Sequence, residues 1–139
     1  MEINNRKAKF NYFIDDTYEA GIVLKGTEIK SIREGKVSIN ETYGIIKNSE
    51  IYVLNMFIKK YEEGNIFNHE ERRTRKLLLH KREILKIKDK VEKMGYTIIP
   101  LKLYFKKGKA KILIGIAKGK KQYDKRETIK ERDLRRRIR

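Results

Sequence analysis

Apolar and polar residues alternate along much of this chain, the period-two pattern of half-buried strands. Tyr18–Leu24 puts Ala20, Ile22 and Leu24 on one face, and Gly26-Thr27 then breaks the run. Thr27 is suited to cap a short helix over Glu28–Glu34, with Ile29 and Ile32 facing inward and Gly35 ending it. Asn4–Lys9 is polar and long enough for one helical turn. Val37–Ile39 and Tyr43–Lys47 are strand-like, and Asn48-Ser49 is a hairpin turn into Glu50–Leu54. Asn55–Phe67 is less regular, and the charged stretch His69–Lys76 leads into a strand over Arg75–Leu79. The clearest helix is Lys81–Met94: Ile84, Ile87, Val91 and Met94 recur at helical spacing, and Gly95 follows as a stop. Tyr96–Lys106 and Lys109–Lys118 alternate on either side of Lys107-Gly108, which predicts a hairpin. Leu101, Leu103 and Phe105 share one face of it, as do Ala110, Ile112, Ile114 and Ile116.

These elements amount to six or seven short strands with two or three flanking helices and no βαβ alternation. The strands are joined mostly by hairpins and are therefore antiparallel. A small closed or nearly closed barrel is the economical way to hide their edges. The fold class is mainly β. No internal repeat is visible, and the one boundary falls near Lys118-Gly119. It separates a body, residues 1–117, from a basic tail, residues 118–139.

The tail carries 11 Lys/Arg against 4 Asp/Glu in its 22 residues. Its large apolar residues, Tyr123, Ile129, Leu134 and Ile138, form no single helical stripe. Such a segment buries too little apolar surface to offset its ordering entropy, and it is expected to be disordered when free and to fold on a polyanion. The body is basic too, with 25 Lys/Arg and 15 Asp/Glu, and the whole chain carries +17. Charge on this scale attracts phosphate backbones and points to RNA or DNA.

Several classes are excluded. The chain has no cysteine, so there is no disulfide scaffold, cysteine-based zinc site or thiol nucleophile. Ile112–Ala117 is the longest strongly apolar run, far short of the roughly 20 residues a membrane helix needs. The N-terminus is too polar for a secretory signal, and the expected location is the cytoplasm. His69 and His80 lack metal-ligand spacing, no Gly-rich phosphate loop is present, and no acid/base pair is specified. No catalytic residue, metal or cofactor is expected. The segment Arg72–Arg82 reads either as a core strand with solvated ends or as an RNA-facing rim in which His80 meets an exposed base. Glu19 either sits on a wet strand face or accepts hydrogen bonds from base amino groups.

Taken together, Asn5–Lys9, Tyr12-Phe-Ile, Tyr18–Lys36, Thr74–His80 and Ile114–Arg126 resemble the SmpB family, small proteins that partner tmRNA in bacterial ribosome rescue. The match runs in order over nearly the whole chain. The resemblance implies an oligonucleotide-binding-type barrel. It implies a non-enzymatic, monomeric adaptor that binds the tRNA-like domain of tmRNA and delivers it to the vacant A site of stalled ribosomes. It assigns tmRNA binding to Glu19, Leu78 and His80, and on this reading Lys30, Arg33, Lys36, Arg75 and Lys76 join them. It assigns contacts with 16S rRNA at the decoding site and with the mRNA channel to Gly119, Lys120, Lys121, Tyr123, Asp124, Lys125 and Arg126. A general ribosome-associated RNA-binding protein or RNA chaperone is the first alternative; an RNA-processing enzyme is the alternative from another class, and the absent catalytic cluster disfavours it. Two departures stand out. Glu71 occupies the place of the family's usual proline, which predicts a looser loop at Glu70–Arg73, and only 13 residues follow Arg126.

Overall fold

The computed structural model describes residues 1–64 and 68–120. Among them the elements run β1 (Glu2–Asn4), α1 (Ala8–Asn11), β2 (Tyr12–Ile22), α2 (Gly26–Arg33), β3 (Val37–Ser38), β4 (Tyr43–Lys47) and β5 (Glu50–Leu54). They continue with β6 (Phe57–Ile58), β7 (Arg75–Leu78), α3 (Lys81–Met94), β8 (Thr97–Lys106) and β9 (Lys109–Gly119). Phe67, Lys121, Tyr123, Asp124, Lys125 and Arg126 lie outside the described residues, as does the expected disorder of the tail.

Strand pairing closes a ring. The order is β8-β4-β5-β7-β2-β9, and β9 pairs again with β8, so the expected antiparallel barrel is present. β1 adds to the far end of β8, with Glu2 opposite Tyr104. The narrowest seam is β4 with β8, where Gly44 faces Ile98. A Cβ on Gly44 would stand 2.6 Å from Ile98 Cγ2, so glycine is what lets the barrel close there. β3 and β6 form a separate two-stranded ribbon.

Inward residues of the ring make the main core: Ala20, Ile51, Val53, Leu77, Ile98, Leu103, Ile112, Ile114 and Ile116. α2 contributes Ile32, and α3 contributes Ile84 and Ile87. The polar side of α3 is tied to β2 by Lys90, 2.9 Å from Asp15 and 3.4 Å from Asp16. α3 ends at Gly95 in the left-handed conformation, φ 72°, as its position predicts.

The structure corrects four local expectations. Leu101 does not share a face with Leu103: a bulge between Pro100 and Lys102 shifts the register. Leu101 instead joins a second cluster with Ala8, Ile99 and Ala117, beside Ile14. Thr27 does not cap α2. The helix begins two residues earlier, at Gly26, Glu28 accepts the Lys25 N–H at 2.7 Å, and Thr27 Oγ1 lies 2.9 Å from His69 Nδ1. Ile29 is only half-buried, while Glu28 beside it is buried. Finally, β9 runs past residue 117, pairing Lys118 and Gly119 with Phe13 and Tyr12. Gly119 is thus part of the barrel rather than the tail.

Candidate nucleic-acid interface

Directly opposed residues in an antiparallel sheet point to the same side. One such row crosses five strands as Leu78, Gly21, Lys111, Tyr104 and Glu2. The neighbouring row holds Glu19, Leu113, Lys102 and Asn4. Because Ala20, Leu77, Leu103 and Ile112 point into the core, both rows lie on the outer face of the barrel. This face carries three lysines once Lys106 is included, an aromatic ring, and an apolar side chain, Leu78, that is 55% exposed.

Glu19 lies on the β2 side of that face, and its carboxylate is engaged. The Tyr104 hydroxyl donates to it, and Lys106 Nζ lies 3.4 Å from its Oε1. The Tyr104 hydrogen bond, aided by Lys106 and Lys111, holds the Glu19 carboxyl below its ordinary value against the opposing effect of burial. Burial and then the Glu19 carboxylate push the Tyr104 hydroxyl up to about 12, so it stays a neutral donor. Lys102 Nζ stands 5.4 Å from the centre of the Tyr104 ring and 3.6 Å from Glu2.

Beside this face opens a cavity of about 400 Å³, lined in part by Asn5, Arg6, Lys9, Lys102 and Leu113. Asn5 Nδ2 donates to the Pro100 carbonyl at 2.9 Å. Its Oδ1 is buried and has no hydrogen-bond partner among the described residues.

The remaining expected site residues divide by strand parity and by helix. In β7, Lys76 and Leu78 turn outward, and Lys76 lies 3.8 Å from Glu50. Leu78 covers Gly21, where a Cβ would meet Leu78 Cβ at 3.3 Å. His80 is exposed at the N-cap of α3, two residues past the end of β7, with its backbone N–H bonded to Glu83 at 3.1 Å. On α2, the Arg33 guanidinium lies 4.5 Å from the Phe105 ring centre, and Lys30 stands 5.3 Å from that of Tyr61. Lys36 pairs with Glu34 at 3.2 Å and Glu62 at 3.7 Å. Lys120 donates to the Lys9 carbonyl at 2.6 Å and lies 5.1 Å from the Phe13 ring centre.

Arg75 does not belong on an RNA-facing rim. Strand alternation turns it inward beside Leu77, and it is fully buried. Its guanidinium meets the fully buried Glu28 at 2.5 Å and donates to the Met56 carbonyl at 2.7 Å. It also reaches the Glu71 carbonyl at 3.3 Å. Arg73 meets the other Glu28 oxygen at 2.6 Å. Burial pushes the Glu28 carboxyl up, but bonds from Arg73 and the Lys25 N–H, with the charge of Arg75, outweigh it and leave the group below its ordinary value. Burial lowers the Arg75 value against the pull of Glu28. The loop at Glu70–Arg73, expected to be loose, makes hydrogen bonds to three neighbouring segments. Glu71 accepts the Lys60 N–H at 3.2 Å, its carbonyl accepts the Ile58 N–H at 2.9 Å, and Arg72 donates to Asn55 at 2.8 Å.

Sequence reasoning missed Lys102, Tyr104, Lys106 and Lys111. The signal was present, since they are the outward positions of the hairpin whose inward positions were read as core. It missed the buried role of Glu28, whose partners are distant in sequence and have no spacing rule.

The chain matches the family model described as "SmpB protein" over residues 2–139. It is 58% identical over 132 residues to the "SsrA-binding protein" of Staphylococcus aureus strain Newman, covering 95% of this chain and 86% of that relative. The protein of the same description from strain COL matches to the same extent. A solved structure described as "tmRNA-SmpB: a journey to the center of the bacterial ribosome" contains a chain 48% identical to this one. It superposes with a TM-score of 0.71, covering 86% of this chain and 84% of that one.

Proposed function

Because the chain belongs to the SmpB family, we propose that it is a non-enzymatic RNA-binding adaptor of trans-translation. It binds the tRNA-like domain of tmRNA and delivers it to stalled ribosomes, and its place of work is the bacterial cytoplasm, where the ribosomes are. The observation that carries this reading is the 48% identical relative in the tmRNA-SmpB structure, which shares the fold over most of both chains.

The outer face of β7, β2, β9 and β8 supports the RNA-binding half of the proposal. Lys102, Lys106 and Lys111 meet phosphates there, which gives affinity and position without reading sequence. Leu78 and His80, at one side of the face, meet an unstacked base or a sugar edge. Asn5 Oδ1, buried and without a partner among the described residues, supplies an acceptor for a base or ribose donor at the adjoining cavity. Lys30, Arg33 and Lys36 extend the contact to the phosphate backbone from the end of α2. Tail residues Lys121, Tyr123, Asp124, Lys125 and Arg126 act on the ribosome, with Lys120 anchoring the start of the tail to α1. By occupying the place of a missing anticodon arm, the protein lets an RNA without a codon partner occupy the decoding site.

The test is native co-purification of RNA with the full chain from bacterial cells, followed by sequencing. The expected result is tmRNA near one molecule per protein. Recovery of bulk ribosomal RNA without tmRNA enrichment refutes the proposal and favours a general ribosome-associated binder.

A further inference from the structure

A carboxylate on a cationic RNA-binding face needs a physical reason, because alone it repels phosphate. Direct contact with a base is one reason, but here the Glu19 carboxylate is already in use. One oxygen takes the Tyr104 hydroxyl, and the other is 3.4 Å from Lys106 Nζ. The two donors come from the same strand, β8, two residues apart, while Glu19 stands on β2 with β9 between them. Both side chains must therefore reach across β9, on which Lys111 lies directly opposite Tyr104 and Lys109 opposite Lys106. We infer that Glu19 is a positioning residue, acting on RNA through Tyr104 and Lys106, which with Lys102 and Lys111 build a cradle for a backbone phosphate.

Each part of the cradle has a stated place. Lys102 lies over the Tyr104 ring at 5.4 Å, so holding the ring also holds the lysine. Lys106 remains 58% exposed, so donors not turned to Glu19 face solvent. Lys111 projects between them in the same row. Against Glu19 and against Glu2, which pairs with Lys102 at 3.6 Å, the three lysines keep the face net positive, and two of them are restrained before RNA arrives. Preorganisation of this kind lowers the ordering cost of binding. The Tyr104 hydroxyl stays protonated across the physiological range, so it adds no negative charge beside the phosphate.

This inference rests on the RNA-binding reading above, and a double-mutant cycle separates the two. The full chain and Glu19→Ala, Tyr104→Phe and the double variant are titrated with the tRNA-like domain of tmRNA at several salt concentrations. Lys106→Ala and Lys111→Ala are included, and circular dichroism checks each fold. Glu19→Gln serves as a conservative variant, since its amide oxygen still accepts from Tyr104. Glu19→Ala is expected to weaken binding about five-fold, the scale of one lost polar contact, although it removes a negative charge. Tyr104→Phe is expected to weaken it in the same direction, and the double variant to bind no worse than Glu19→Ala. The salt slope of Glu19→Ala should become shallower by about one phosphate contact, as for Lys106→Ala, whereas Glu19→Gln keeps most of the affinity. Unchanged binding by Tyr104→Phe with weakened Lys106→Ala overturns the positioning role alone. Multiplied losses in the double variant do the same. Wild-type binding by every variant overturns the placement of RNA on this face, and the inference with it.

Discussion

Glu28→Ala is the perturbation whose consequence is largest on structural grounds. The Glu28 carboxylate is fully buried and accepts from Arg75 at 2.5 Å, Arg73 at 2.6 Å and the Lys25 N–H at 2.7 Å. Without it, Arg75 remains fully buried, and its remaining partners among the described residues are the Met56, Glu70 and Glu71 carbonyls. Carbonyl dipoles do not replace a counter-charge, and stranding one member of a buried ion pair costs ~3–5 kcal/mol. Against a total stability of ~5–15 kcal/mol, that is a large share, and the melting temperature should fall by roughly 10–25 °C. The assay is urea unfolding followed by circular dichroism at neutral pH, with the slope recorded alongside the midpoint. Glu28→Leu with Arg75→Met removes both charges and should recover part of the loss. Recovery is incomplete because the buried Met56 carbonyl then lacks its donor, at ~1–3 kcal/mol. The same group predicts a pH dependence. Its folded value is depressed below 4.5, so its stabilisation is full above 4.5 and is lost as pH falls through the lower folded value. A Glu28→Ala loss below ~1 kcal/mol with an unchanged urea slope would refute the reasoning.

Three further outcomes follow. Gly44→Ala should cost ~1–3 kcal/mol by overpacking, because the new Cβ lies 2.6 Å from Ile98 Cγ2 at the barrel seam, and thermal unfolding checks it. Leu78→Ala should leave stability within ~0.5 kcal/mol, since the side chain is 55% exposed, yet weaken binding of the tRNA-like domain in a filter assay; the reverse pattern would make Leu78 a core residue. Asp124→Ala/Lys125→Ala/Arg126→Ala should leave that binding nearly unchanged and abolish tagging on ribosomes stalled without a codon, and normal tagging by the triple variant would remove the tail from the decoding step.

Local chemistry was legible where one rule sufficed. Asn48 and Ser49 form a hairpin with φ of 52° and 60°, a conformation asparagine tolerates, and the turn was read from those two residues. α3 was read from its stripe and its glycine, and the barrel from hairpin-linked alternation. Other features had no local signature. β1 is three residues long and exists through its pairing with β8, so no periodicity could announce it. β2 begins at Tyr12, six residues before its expected start, because a register shift between Ile14 and Asp16 interrupts the alternation. The bulge at Pro100–Lys102 likewise sent Leu101 to the other side of the sheet. Arg75 was misread because a cation beside other cations looks solvated, and its partner lies 47 residues away. For the interface, the residues alone leave Glu19 and His80 with two readings each, and family resemblance favours the RNA-binding one and adds Leu78. Tyr104 and the lysines around it emerged only when register placed three strands side by side.

Delivery of tmRNA to a stalled ribosome is the central claim, and peptide tagging measures it most directly. Ribosomes stalled on an mRNA without a stop codon are supplied with alanyl-charged tmRNA, with and without the full chain. Tagged nascent peptide is then quantified. The account predicts tagging that depends on the chain and saturates near one protein per tmRNA. Equal tagging in its absence, or none in its presence while it still binds tmRNA, would contradict it.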